Sequence, residues 1–417
     1  MEYKITINKK SVLFFALICC ITSFFGTNYL FSNIYTYDFM VLSSLFISIF
    51  AFFLFGIKIT KSYYRYANII VCVMWVAGII KASVFNLPIS VILKESCYTI
   101  VPLLVYFSYK PLFVSKKDLV SFLRFLLIAG LMCNAVSIIE MCFALHNVDV
   151  LNLNVFAKLR NGTPRFAIGE TVVITSFLLS CCFVLDKDVA IKKKLIHYIN
   201  ICLTVINLVW IIKTRSLDLY LLATLVMIPV LNNRIKKSVR IVFGFAVIVI
   251  LLTILFSDFV PLLNSFVDSD YGIQIRFSMI SYYLNYFKNH WLFGAGFISA
   301  NPLYTTHAIV SGPFGRYYVS DVGVIGLMFT HGVIGLIWLI MWFVEGFKLI
   351  IRSKESVPTY YNLFTKLLWF FLLFSCINLI LTNTPRIPYI VIGMLLFEYG
   401  HLFSEPNSND NGRLRYN

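Results

Sequence analysis

The chain has 417 residues, of which 59% are hydrophobic and 13% charged, with a formal net charge of +16 and a mean hydropathy of +0.84. A composition this apolar excludes a soluble globule with a polar skin. The positive charge does not argue for nucleic acid, because membrane topology and attraction to anionic lipid account for it.

Apolar runs near the ~20 residues that cross a hydrocarbon core recur from end to end. Hydropathy places the runs and charge places their ends. About twelve transmembrane helices are predicted, at 11–31, 39–57, 67–85, 88–107, 119–145, 167–185, 195–212, 216–231, 239–256, 321–344, 363–381 and 387–402. The expected fold is an all-α polytopic integral membrane protein, a single transmembrane domain over 1–417 that ends in a polar tail at 403–417.

The first run follows Lys4, Lys9 and Lys10, yet no small-x-small cleavage site comes after it, so it reads as a retained helix. An even number of spans puts both termini on one side. With the N-terminus in the cytoplasm, every inside loop carries Lys or Arg, while the short outer loops at 32–38 and 86–87 carry neither. That asymmetry is the positive-inside pattern. All ten cysteines fall within apolar runs, so neither disulfides nor a zinc site is expected, and no metal or other cofactor is assigned.

Against this bias, Arg160, Arg165, Arg215, Arg276, Arg316 and Arg386 lie on the outer side. The loop at 146–166 holds Lys158, Arg160 and Arg165 around an Asn-Gly-Thr-Pro turn at 161–164. Arg215 and Asp218 stand at the mouth of the span at 216–231. The loop at 257–320 is far longer than ordinary connections and is expected to be functional.

Inside that loop Ile273, Phe277, Ile280, Leu284 and Phe287 share one helical face, with Ser278, Tyr282 and Asn285 opposite. This spacing predicts an amphipathic helix on or just inside the outer leaflet. The glycines of 290–297 then permit a tight turn that brings backbone N–H groups near a ligand, although Gly-x-Gly alone is weak evidence.

Arginine's rigid fork matches phosphate and carboxylate bidentately, so arginine rather than lysine at these positions favours an anionic ligand. Singly, each arginine is better explained by anchoring at the headgroup layer or by pairing with an acid such as Glu170, Asp218 or Asp270. Recurrence across successive loops weakens that reading. Among the ionisable groups within apolar runs are His331, read with its neighbouring glycines as helix packing, and the adjacent pair Lys94 and Glu95, each of which needs its own partner.

An arginine before an amphipathic helix, then His-Trp-Leu-Phe-Gly-Ala-Gly at 290–296, Ser-Asp-Val-Gly-Val-Ile-Gly at 320–326 and His-Gly-Val-Ile-Gly-Leu at 331–336, resembles the O-antigen polymerase and ligase superfamily. The Thr-Arg-Ser at 214–216 resembles that family's arginine-serine element. The ligase branch usually carries a His-Asn pair shortly before a Glu-x-Gly. Here the stretch has no histidine and Asp321 stands for the glutamate, which favours the polymerase branch.

The resemblance implies an architecture similar to C-type glycosyltransferases, in the bacterial cytoplasmic (inner) membrane with both termini cytoplasmic. It implies undecaprenyl-pyrophosphate-linked glycans as substrates, metal-independent glycosyl transfer on the outer face, and a polysaccharide chain-length regulator as partner beside the lipid bilayer. The candidate pyrophosphate-binding residues are Arg160, Arg165, Arg215, Arg276 and Arg316, with Arg215 and Arg276 at family positions. The candidate bases are His307, Asp321 and His290, although His290 also suits a helix C-terminus and Asp321 an N-cap. Two other readings stay open: a ligase that transfers the finished chain, and a flippase for lipid-linked oligosaccharide.

Overall fold

The computed structural model describes residues 13–14, 36–55, 62–151, 159–160, 163–232, 235–236, 238–242, 244, 271–352, 357–377, 381–382 and 386–403. The expected spans at 11–31 and 239–256 lie almost wholly outside the described residues, as do the start of the long loop, 257–270, and the tail from 404 onward.

The described chain is helical apart from one two-residue hairpin. Its helices are α1 (Thr36–Phe55), α2 (Arg65–Ser83), α3 (Ile89–Tyr109), α4 (Lys116–Ala144), α5 (Glu170–Leu185), α6 (Ile191–Ile206), α7 (Arg215–Val226), α8 (Tyr271–Asn289), α9 (His307–Ser311), α10 (Gly323–Arg352), α11 (Thr359–Ser375) and α12 (Ile387–Tyr399). Strands β1 (Leu159–Arg160) and β2 (Thr163–Pro164) pair antiparallel, Arg160 opposite Thr163, at the turn the sequence marks. Among the described residues five helical segments are long and apolar enough to cross a membrane, and three more are shorter but apolar.

Burial follows the same logic. Phe46, Phe53, Ile69, Ile80, Ile89, Ile139 and Val209 are all exposed, which in water would be untenable over so many helices and in lipid is expected. The largest core cluster has α12 at its centre, where every residue from Ile387 to Tyr399 is buried, and a second cluster joins Met279, Tyr283, Phe297, Val310 and Phe329. A helix that is apolar all round buries all round. It packs on α3, α10 and α11, while α4, α5 and α6 form a neighbouring layer that α11 joins through α5.

One end of the bundle is fastened by paired charges. Lys110 and Glu398 approach to 2.6 Å, and Tyr106 also donates to the Glu398 carboxylate. Glu345 of α10 accepts from the N–H groups of Tyr66 and Ala67 at 3.1 and 3.2 Å. A carboxylate there satisfies orphan donors and complements the dipole at the start of α2. All of these residues belong to the side that the charge pattern of the sequence assigns to the cytoplasm.

A buried amide network sets the other landmark. Asn134 of α4 donates to Thr204 at 2.8 Å and to Asn200 at 3.3 Å, and Asn207 donates back to Asn134 at 2.8 Å. Asn200 also donates to Ser176 and Ser180 of α5. Just beyond this network α6 widens into a π-helical turn, Asn207–Ile212, and ends at Lys213 with φ of 50°. Such turns re-aim a chain at a defined point. Here the re-aimed residues are Thr214 and Arg215, which open α7.

The amphipathic helix of the long loop forms as α8, but it docks on a face the spacing did not single out. Met279 and Tyr283 are fully buried and Tyr282 and Tyr286 partly so, whereas Phe277 is 56% exposed and Ile280, Leu284 and Phe287 are half-buried. The aliphatic stripe therefore does not make the main contact with the bundle. Tyrosines do, because their hydroxyls serve the loop beneath: Tyr283 donates to the Val310 carbonyl at 2.6 Å and Tyr282 to that of Ile309 at 3.2 Å.

Candidate functional site

Helix α10 is broken at Gly332, whose φ of 65° and ψ of −155° are non-helical. A break frees carbonyls and an N–H that must find other partners. The 290–296 segment supplies them. Ala295 and Gly296 donate to the carbonyls of Phe329 and Thr330 at 2.8 and 2.9 Å, and Val333 donates to that of Trp291 at 2.8 Å. A β-carbon at Gly294 would strike the Phe329 carbonyl, and one at Gly332 the Leu292 carbonyl.

The two family-like motifs thus meet as one weld, with left-handed glycines on both sides. This corrects the expectation that the glycine turn presents N–H groups to a ligand. The N–H groups of Ala295, Gly296 and Phe297 go to Phe329, Thr330 and, at 3.3 Å, Gly78.

Beside the weld lies a cavity of about 490 Å³, within the size range of small-ligand sites. Its walls come from α3 (Glu95, Tyr98, Thr99), from the loop and α9 (Phe297, His307, Ser311, Tyr317), from the break in α10 (Phe329, Thr330, His331), and from Thr382. Hydroxyls and rings dominate, and none of the described lining residues is lysine or arginine. Glu95 accepts from Ser299 Oγ at 3.3 Å, which ties the intramembrane carboxylate to the long loop.

The loop around His307 is rigidly fixed. Buried Thr306 donates to the Ser299 carbonyl at 2.9 Å. His307 Nδ1 lies 2.6 Å from the Ala300 carbonyl oxygen, and Ser311 Oγ is 3.2 Å from the same nitrogen. A carbonyl can only accept, so Nδ1 carries a proton and Nε2 is the ring nitrogen left to exchange one. His290 stands elsewhere: its ring stacks on Tyr286 at 4.3 Å and its Nδ1 meets the Tyr286 carbonyl at 3.1 Å, at the end of α8. It is not among the cavity-lining residues. Asp321 lies in the turn Val319–Val322 beside the cavity-lining Ser320, whose hydroxyl donates to it at 3.2 Å.

His331 is buried, as the packing reading expects, but its ring is not bonded to a neighbouring helix among the described residues. It is 4% exposed, stands against the Phe297 ring at 5.2 Å, and its Nδ1 has no hydrogen-bond partner among the described residues.

The cationic groups gather around the start of α7. Arg165 donates through Nε to the Ile212 carbonyl at 2.8 Å and through Nη2 to Thr214 Oγ1 at 2.7 Å. Lys213 in turn donates to Thr163 of β2. The hairpin with Arg160 at its turn is therefore pinned to the residues that lead into Arg215. The side chains of Arg160 and Arg215 lie outside the described residues; their backbones are placed in β1 and at the first position of α7.

From α8, exposed Arg276 comes within coulombic reach of Tyr220 on α7, as does Arg386. At 1.5 Å per residue Arg215 is about 8 Å along the axis from Tyr220. Two distant stretches of the chain thus bring arginine near Tyr220 of α7. Arg386 is different in kind: it is 4% exposed and pairs with Glu170 at 3.2 Å, one of the acids suggested for such pairing. Exposed Arg316 sits between Gly315 and Tyr317, both of which line the cavity.

Glu95 and Tyr220 carry more of the arrangement than the sequence reading gave them. The signal for Glu95 was its place in an apolar run; Tyr220 offered none. No protein-family model matches the chain, and no curated protein matches it in sequence.

Proposed function

We propose that the chain polymerises undecaprenyl-pyrophosphate-linked oligosaccharide repeats on the outer face of the bacterial inner membrane, as an O-antigen or related surface-polysaccharide polymerase. In this reading the bundle has twelve spans with both termini cytoplasmic, and its architecture is similar to C-type glycosyltransferases. The observation that carries the proposal is the pairing of two unlike compartments. The start of α7 is served by cationic groups from separate stretches of the chain, and a hydroxyl-rich cavity with no described lysine or arginine in its lining holds His307. Thr382 on the cavity wall lies only four residues along the chain from Arg386, which is within coulombic reach of Tyr220 on α7.

The chemistry divides in the same way. An acceptor hydroxyl oxygen attacks the anomeric carbon of the donor glycan, and the bond from that carbon to the pyrophosphate oxygen breaks with its electron pair leaving on the pyrophosphate. The hydroxyl proton passes to Nε2 of His307. Negative charge grows on the leaving oxygens, so fixed guanidinium groups favour the transition state over the ground state. Arg215 and Arg276 take that role, with Arg160 and Arg316 as further cations, and Arg165 holds the element that carries Arg215.

A flippase is the second reading, favoured by one observation. A helix broken near its middle and sealed by a re-entrant segment, as at Gly332, is a common feature of transporters. Electrophoresis of surface polysaccharide from cells lacking the chain separates the readings. Loss of a polymerase leaves lipopolysaccharide bearing a single repeat, loss of a ligase strands long chains on the carrier lipid, and loss of a flippase traps repeats inside. Only the first pattern sustains the proposal.

A further inference from the structure

We propose that the cavity beside the break in α10 is a subsite for a neutral saccharide, whose hydroxyl groups donate to Glu95 and His331. Its role as the acceptor subsite rests on the glycosyl-transfer reading above, whereas saccharide binding itself does not.

The charge distribution points this way first. Of the arginines that suit an anion, Arg165 and Arg215 stand at the start of α7, Arg276 is within coulombic reach of Tyr220 on that helix, and exposed Arg316 flanks the cavity without lining it; the cavity itself is lined by hydroxyls, rings, one carboxylate and two imidazoles, with no described lysine or arginine. A pyrophosphate would meet Glu95 there, so an anion is the wrong occupant. A sugar ring is the right one: it offers O–H donors to a carboxylate and an imidazole, accepts from Tyr, Thr and Ser hydroxyls, and lays its C–H face on aromatic rings such as Tyr98 and Tyr317.

The polar groups themselves are the second observation. His331 is nine-tenths buried and more, lines the cavity, and leaves Nδ1 without a partner. A buried orphan nitrogen is costly, and such exceptions call for a cause. Glu95 sits on α3 within an apolar run, where a carboxylate is expensive and usually marks function. Both line one cavity although they are far apart in sequence. The weld between 290–296 and the break at Gly332 explains how His331 is held there, because the break is sealed from the loop side and the cavity stays open beside it.

The test uses the full-length chain in lipid nanodiscs and saturation-transfer NMR with methyl glucoside, methyl galactoside, methyl rhamnoside and N-acetylglucosamine at millimolar concentration. Transfer to the ring protons of at least one probe is expected. The signal should fall about fivefold, the equivalent of one hydrogen bond, in Glu95→Ala and in His331→Leu. It should persist in His331→Asn, which keeps a polar atom near the place of Nδ1. Thermal unfolding of each sample identifies a variant that has lost its fold, and if His331→Leu is one, Glu95→Ala decides.

No transfer to any probe in the native chain overturns the proposal, and so does transfer undiminished in the folded variants. The deletion ladder, run in parallel, keeps the two inferences apart. A single-repeat ladder with unaltered glycoside transfer removes the cavity assignment alone. Glycoside binding that depends on Glu95, in a chain whose loss does not shorten the polymer, removes the polymerase and leaves a saccharide site.

Discussion

Arg165 donates to Thr214 Oγ1 across 2.7 Å, and Thr214 is the residue directly before Arg215. With its second bond, to the Ile212 carbonyl at 2.8 Å, the guanidinium spans the end of the π-helical turn and the start of α7. Removing it frees that junction. Arg165→Ala should abolish long polymer while the protein remains in the membrane, at a stability cost of about 1.5–3 kcal/mol for a charged hydrogen bond. Arg165→Lys should rescue little, because an ammonium cannot reproduce the planar fork that reaches both acceptors. A normal ladder in Arg165→Ala would show that the junction does not matter to chain growth.

The pair of buried Arg386 and half-buried Glu170 makes the opposite kind of prediction. Breaking one partner of a fully buried pair costs about 3–5 kcal/mol, an upper bound for this one, whereas replacing both with apolar groups is often neutral. Arg386→Met alone should lower the unfolding temperature strongly, and Arg386→Met with Glu170→Leu should recover most of it. A double variant as unstable as the single one would mean that the pair is not the source of the loss. Polymer length in the double variant then tells whether the Arg386 charge, felt at Tyr220, also serves the substrate.

Much of this architecture is legible in the sequence, and the rest is hidden for definable reasons. The apolar runs give α2 to α7 and α12 close to their observed ends, because lipid imposes both length and composition, whereas α10 runs on to Arg352 past the expected end at 344 and α11 stops at Ser375 short of 381. The Asn-Gly-Thr-Pro turn gives the hairpin. Docking of α8 was not legible: the aliphatic stripe is the stronger periodic signal, yet Met279 and Tyr283 are the residues that bury. The purpose of the glycines at 294, 296 and 332 was hidden as well, since a left-handed glycine looks the same in sequence whether its N–H meets a ligand or another carbonyl. Contacts such as Arg165 with Ile212, 47 positions apart, leave no periodic trace at all.

Gly332 is where the weld can be tested directly. Its positive φ and the Leu292 carbonyl beside it leave no room for a side chain. Gly332→Ala should strain the break, loosen the 290–296 segment and shorten the polymer. Gly335→Ala, three residues on at helical φ, meets chiefly the His331 side chain and the adjacent turn. Hydrogen exchange at Ala295 and Gly296, whose N–H groups are bound to Phe329 and Thr330, should quicken in Gly332→Ala. Unchanged protection at both amides would show that the segment is held by something other than this seam.

His307 offers the sharpest chemical test. The Ala300 carbonyl at 2.6 Å fixes a proton on Nδ1, so Nε2 is the ring nitrogen left to exchange one. His307→Gln should lose chain growth by about 100-fold or more, the usual contribution of a positioned base, while lipid-linked repeats accumulate because donor binding by the arginines is intact. Ser311→Ala should do far less, since its hydroxyl only adds a second contact to a nitrogen the Ala300 carbonyl already orients. Pulse-labelled repeats followed into polymer give both rates. Equal losses in the two variants would point to collapse of α9 rather than to proton transfer, and an unchanged rate in His307→Gln would remove the histidine from the chemistry.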